Sequence, residues 1–170
     1  MSAISNLKSK QMEAKKNMQG IQKMSYRKFW IMMLISFFIM YAIMFMNVED
    51  ASHIYLSVTR TYMALLMVTA MAPVMMGMMG MMYQNKKLNN FIIIGSIGAF
   101  VGIMLLLRNQ AFVGERQYMK GMIPHHSSAI LTSKHAKIKD PEVKKLSEEI
   151  IKAQEKEIAE MKAKLAELDR

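Results

Sequence analysis

Cysteine is missing from this 170-residue chain, tryptophan occurs once and proline three times. Without cysteine there are no disulfides, no thiolate zinc sites and no cysteine nucleophiles. Acidic side chains are scarce as well, 13 against 23 Lys and Arg, which leaves a net charge of +10. So basic a chain raises nucleic acid as a partner, but no recognition-helix, zinc-finger or stacking-aromatic pattern stands behind the charge, and no nucleic acid is expected. The sequence also lacks an HExxH, a phosphate loop and a nucleophile motif. His125-His126 with Glu148, Glu149 or Glu157 have the chemistry for acid–base work or metal-assisted hydrolysis. The chain nevertheless offers no soluble cleft to house a reaction, so it is expected not to be an enzyme.

What abounds is apolar surface and methionine: 52% of the residues are hydrophobic and 22 are Met. The apolar residues are bunched. Phe29 to Met46 runs without a single charge, and so do Thr61 to Tyr83 and Phe91 to Leu107. Each run is long enough, the third barely, to cross a hydrocarbon core about 30 Å thick. Tyr62 and Tyr83 bracket the second run and Phe29-Trp30 open the first, as interfacial aromatics do. The first run is too long for a signal-peptide core, its basic leader is too long, and no small-x-small cleavage site follows, so it reads as an anchor.

Charge sets the expected direction. Seven Lys and Arg against the single acid Glu13 fill residues 1–28, a cytoplasmic flank that also suits anionic lipid. The first loop, with Glu49, Asp50 and only Arg60, fits the outside; Lys86 and Lys87 in the second fit the inside. Residues 108–170, nearly balanced at 13 basic and 10 acidic, then emerge on the extracytoplasmic face, despite Arg108, Arg116 and Lys120 near that boundary. The expected plan is all-α: a basic leader over 1–28, three transmembrane helices over 29–107, and an extracytoplasmic hairpin over 108–170, in a multi-pass cell (inner) membrane protein with its N-terminus in the cytoplasm.

Gly98 and Gly102 make a GxxxG in the third span, which lets helices approach closely in lipid. Packing among the three spans is the preferred reading, dimerisation the sharper one. Met63, Met67, Met71, Met75, Met78 and Met82 recur at steps of three or four and share a helix face. A thioether-lined path for a soft ion is one reading. Flexible apolar filling is preferred, because Met76 and Met79 show that Met is not confined to that face.

The densest chemistry lies beyond the spans, in Tyr118-Met119-Lys120-Gly121-Met122-Ile123-Pro124-His125-His126. Thioether sulfur with imidazole suits Cu(I) or Ag(I), whereas Mg and Ca want oxygen. Thioethers also survive where thiols would be lost to disulfides, although oxidation to sulfoxide would remove them as ligands. Residues 114–138 and 141–169 read as two helices joined by Lys139-Asp140. Asp140 is an N-cap, Pro141 suits the first helical position, and Glu142 suits the positive end of the dipole. Val143, Leu146, Ile150, Ile158, Met161, Leu165 and Leu168 form an apolar stripe, with Glu148/Lys152 and Glu160/Lys164 supporting the exposed face.

Folding the hairpin about Asp140 sets Met119 level with Met161 and His126 level with Gln154. Met119, Met122 and His126, spaced i, i+3, i+7, share a face. The candidate ligands are therefore Met119, Met122, His126 and Met161, with His125 as an alternate and Gln154 or Glu157 orienting an imidazole. Pro124 either kinks the first helix or starts it. His135 points away near the turn, and His53 stands alone in the first loop as a merely polar residue. Two such helices bury too little surface to stand by themselves. The third span's end, a bound metal or a second copy would complete them, and a homodimer of four helices is favoured.

Tyr118-Met119-x-x-Met122-Ile-Pro-His125-His126-x-x-Ala129-Ile130, then Asp140-Pro141-Glu142-Val143, then Glu149-Ile150-Ile151-x-Ala153-Gln154-x-x-Glu157-Ile158-x-x-Met161 resembles domain-of-unknown-function family 305. The likeness covers about residues 115–165, behind the three spans. It implies a ferritin-like helical fold, extracytoplasmic copper or silver binding linked to metal resistance, and Met119, Met122, His125, His126 and Met161 as metal contacts. Many members carry a further Met shortly after the His pair, where this chain has Leu131-Thr132-Ser133. No Glu-x-x-His pair is present, so ferritin-like does not here mean di-iron. The expectation is a membrane-anchored binder of Cu(I) or Ag(I), partnered by lipid and by a metal-handling protein. The alternative is an interaction module whose Met-rich helical surface docks a protein and holds no metal.

Overall fold

The computed structural model describes Lys10, residues 26–83 and residues 85–169, with the backbone alone at Met81. The basic leader lies outside the described residues apart from Lys10 and the start of the first helix. Among the described residues the fold is all-helical: α1 (Tyr26–Ile43), α2 (Val58–Met79), α3 (Lys86–Arg108), α4 (Glu115–His135) and α5 (Pro141–Leu168), with short 3-10 turns at Ala51–His53 and Gly80–Met82.

The helix starts follow local chemistry. Ser57 caps α2 by accepting from the Arg60 N–H at 3.3 Å, and Asn85 caps α3 by accepting from the Leu88 N–H at 3.1 Å. Asp140 takes the N–H groups of Glu142 and Val143 at 2.9 and 3.0 Å, with Pro141 in the first turn of α5, which satisfies donors the helix itself cannot. The second hairpin helix thus begins where its cap signal places it. The first ends earlier than residue 138, because Ala136 already turns to extended geometry. Pro124 sits inside α4, so the helix neither starts nor stops there.

Helices α1, α2 and α3 are each long and apolar enough to cross a membrane. Helix α2 packs on both α1 and α3. Around the α2–α3 turn, Phe29, Met33, Ala72, Met76, Tyr83 and Ile92 form one buried cluster, with Met71, Met75, Met79 and Met82 packed against it. Tyr26 donates to Asn89 Oδ1 at 2.6 Å, and its ring lies 5.0 Å from that of Tyr83. Trp30, Phe91 and Ile94 point outward and are largely exposed, which suits a helix whose outer surface is solvated by lipid.

Within the Met stripe, Met71, Met75 and Met82 pack as filler, as preferred from the sequence, while Met63, Met67 and Met78 are exposed. The glycines do not behave as preferred. A Cβ added at Gly98 or Gly102 would meet nothing within 4 Å, so this GxxxG face is open rather than used between the three spans. The reason lies in α3, which turns Ile92 rather than its glycines into the core.

Helices α4 and α5 pair as a hairpin around Met119, Ile123, Ile130, Ile158 and Leu165, with Ile151, Met161 and Leu168 at the edge. The expected α5 stripe is half right. Val143, Leu146 and Ile150 are exposed, and Ser147 is buried in their place with its hydroxyl donating to the Ser133 carbonyl at 3.3 Å. At about 100° per residue, Ser147 and Ile151 lie within roughly 20° of Ile158, whereas Leu146 and Ile150 stand roughly 80–120° away. Glu160 pairs with Lys156, and Lys164 with Glu167, so the expected Glu160/Lys164 pair is not formed. Between α3 and α4 the chain bends sharply, with Gln110 and Phe112 at φ 47° and 60°, a left-handed conformation that non-glycine residues seldom adopt.

Candidate metal centre

Helix α4 presents two working faces. Taking Met119 as origin, His126 and Ile123 fall within roughly 40° of it, while Met122 lies about 60° to one side and His125 about 120°. Met119, Ile123, His126 and Ile130 are accordingly buried, most of them against α5. Met122 and His125 turn away, toward α2 and the first loop, and line a cavity of about 490 Å³ there. The five expected ligands are therefore not gathered around one point. The i, i+3, i+7 spacing leaves a wide arc between its members, and α5 together with the first loop divides that arc between them.

On the α5 side, Met119 and Met161 line one cleft of about 1020 Å³, the level pairing that the hairpin register predicts. His126 lies seven residues beyond Met119, about 10.5 Å along the axis. Its Nε2 stands 2.6 Å from Glu157 Oε2. Its partner is thus three positions further along α5 than Gln154, and of the two residues expected to orient an imidazole it is Glu157 that does so. A carboxylate accepts, so the Nε2–H donates, and in the neutral form of the ring the lone pair is on Nδ1. That Nδ1 is buried and has no hydrogen-bond partner. Buried polar atoms are nearly always paired, which makes this the outstanding orphan of the hairpin. Among the described residues no three His, Asp or Glu side chains gather as a metal cluster.

The hairpin is also held by a segment that sequence reasoning misses. Ser127, fully buried, accepts from the Glu49 N–H at 2.8 Å and meets His53 Nδ1 at 2.9 Å. Asn47 donates to Ser128 Oγ at 2.8 Å, Lys134 reaches Glu49 at 3.0 Å, and Lys162 donates to Ser52 at 2.8 Å. Desolvation, then the Lys162 charge, pushes the His53 imidazole below its ordinary value, with Asp50 and Glu49 opposing. His53 is thus not a lone polar residue but part of a clasp between the first loop and α4. Its signal in the sequence is faint, a single His beside two acids. His135 is exposed at the end of α4, as expected.

No solved structure matches the chain. An uncharacterized protein of Acanthamoeba polyphaga mimivirus is 45% identical over 74 residues, 42% of this chain and 49% of the viral one. The chain thus spans about half the length of that curated relative. The family match reaches well beyond the stretch of about residues 115–165 that carries the motif, and takes in the spans as well as the hairpin. With its model matching residues 2–166, the chain belongs to the family described as Domain of unknown function (DUF305).

Proposed function

We propose that the chain is a membrane-anchored binder of a soft monovalent metal, Cu(I) or Ag(I), held by Met and His of the α4–α5 hairpin for buffering, handover or resistance. The observation that carries this reading is His126, a buried imidazole steered by Glu157 with its other nitrogen left without a partner. Metal-bound histidines habitually donate their second N–H to a carboxylate in this way. Met161, one turn along α5 from Glu157, and Met119, which shares its cleft, add thioethers of the softness that Cu(I) and Ag(I) prefer, on side chains flexible enough to swing toward an ion near His126. The test is a Cu(I) competition titration on the full chain in detergent, beside Met119→Leu/Met161→Leu and His126→Ala. Tight binding by the parent and at least a tenfold loss in either variant is expected. Equal, weak binding in all three would sink the metal reading.

In that event the interaction-module reading takes its place, favoured by Val143, Leu146 and Ile150, which lie exposed along one side of α5. It calls for a protein partner whose capture is indifferent to chelators. Under either reading the hairpin and the first loop, which contact each other, are assigned to the extracytoplasmic face. Protease added to right-side-out vesicles should then cleave α4–α5. A tail cut only in inside-out vesicles would reverse the orientation.

A further inference from the structure

The cavity on the other face of α4 is not used by the hairpin pair of helices. It opens where the spans end: Met44 follows α1, Met63 sits in the second turn of α2, and Met122 and His125 come from α4. Three thioethers and an imidazole, drawn from three separate elements, line one space of about 490 Å³. Helix α4 lies against the start of α2 here, where a Cβ added at Gly121 would sit in ordinary contact, 3.6 Å from Ser57 Oγ. The remaining lining contributes no carboxylate, so a hard cation finds no anionic oxygen to bind. We propose that this junction is a second soft-metal site, with Met44, Met63, Met122 and His125 as its donors and Cu(I) or Ag(I) as its ligand.

The proposal rests on the reading that this chain handles a soft monovalent ion; what it adds is Met44 and Met63, two donors from the membrane region. Arg60 also lines the cavity, and its charge opposes a cation. The guanidinium is, however, turned onto the Met44 carbonyl and over the Phe45 ring at 4.5 Å, which fixes it in place. The junction site is consequently the weaker of the two, because its soft donors work against a fixed positive charge with no carboxylate beside it, whereas Lys164 at the hairpin cleft is offset by Glu115 and Glu160 in the same lining. The cavity is roomier than one ion needs, and the unbranched thioethers close the difference by changing rotamer. His125 and His126 are adjacent, with ring centroids 5.9 Å apart, so one ion position on each face of α4 places the two sites within a short transfer of each other.

The experiment is an Ag(I) titration of the full chain in detergent, read as equivalents bound and as two successive affinities. The parent should bind two equivalents. Met44→Leu/Met63→Leu, which keeps side-chain volume, should lose the weaker one and keep the tighter. Met122→Leu/His125→Gln, cut from the opposite wall of the cavity, should do the same, and His126→Ala should lose the tighter one instead. A parent that binds one equivalent, lost in His126→Ala and untouched by Met44→Leu/Met63→Leu, overturns the junction site and leaves the hairpin site standing. A parent that binds no Ag(I) overturns both.

Discussion

Glu157→Gln should weaken Cu(I) binding by roughly 10- to 100-fold, the usual consequence of removing the carboxylate behind a metal-bound imidazole, while leaving membrane insertion and helix content as they are. The argument begins with exposure. The Glu157 side chain is half exposed, at 50%, whereas that of His126 is only 10% exposed. The carboxylate therefore tolerates replacement by an amide without a packing defect, and the effect falls on the imidazole. With the carboxylate in place, Nε2 keeps its proton and Nδ1 presents a lone pair. The substituted amide would offer either a carbonyl oxygen or an NH2 group to the ring, so the tautomer is no longer fixed and the negative charge that strengthens the ligand is gone. Glu155→Gln is the matched control. Glu155 is also about half exposed on α5, but it meets Lys134 at 3.4 Å instead of a histidine. The same competition titration on both variants separates the roles. A loss confined to Glu157→Gln assigns the pair to metal binding. A lower melting temperature with undiminished Cu(I) affinity would make it a structural tie between the helices and remove His126 from the site.

The extent to which this arrangement is legible in the sequence depends on how local its cause is. Three uncharged runs announce α1, α2 and α3, because a segment that avoids charge for the width of a bilayer has little else to become. Asp140-Pro141 announces α5 for an equally local reason, since cap and first turn are set by neighbouring residues. The level pairing of Met119 with Met161 follows from helix geometry and a short connection. The errors begin where a third element intervenes. Spacing groups Met122 with Met119 and His126, because a spread of about 60° is tolerable on an isolated helix. The first loop, tied to α4 through Asn47, Glu49 and His53, converts that spread into two separate faces. Nothing periodic in residues 44–57 foretells the contact; it arises from groups 74 to 85 positions apart in the chain. The α5 stripe misleads in a similar way. Val143, Leu146 and Ile150 fit an apolar helical pattern, but the short connection turns Ser147 toward α4 and leaves them outside.

The second large effect expected is on the hairpin itself. Ile123 is fully buried, at 0% exposure, in the cluster that joins α4 to α5. Ile123→Ala removes most of that side chain and leaves a cavity, a change that typically costs about 2–5 kcal/mol. A hairpin of two helices has a small core, and the margin of whole domains is only about 5–15 kcal/mol. A loss on this scale should therefore open α4–α5 while α1–α3, whose buried cluster shares no residue with it, stay folded. Limited proteolysis in detergent should show the tail cut many times faster than in the parent and the spans unchanged. Val143→Ala, at a half-exposed position on α5, should shift the same assay very little, within about 0.5 kcal/mol. If Ile123→Ala cleaves no faster, the hairpin is held by its clasp to the first loop rather than by its own core. Metal supplies a second readout, since an ion that binds only the closed hairpin stabilises it by about 2.7 kcal/mol at a hundred times its dissociation constant. Saturating Cu(I) should thus return much of the protease resistance to Ile123→Ala and none of it to a chain that also carries His126→Ala. Rescue in the first and its absence in the second would tie the stability of the hairpin to the ion through one residue, which a purely structural or protein-docking role for His126 does not predict.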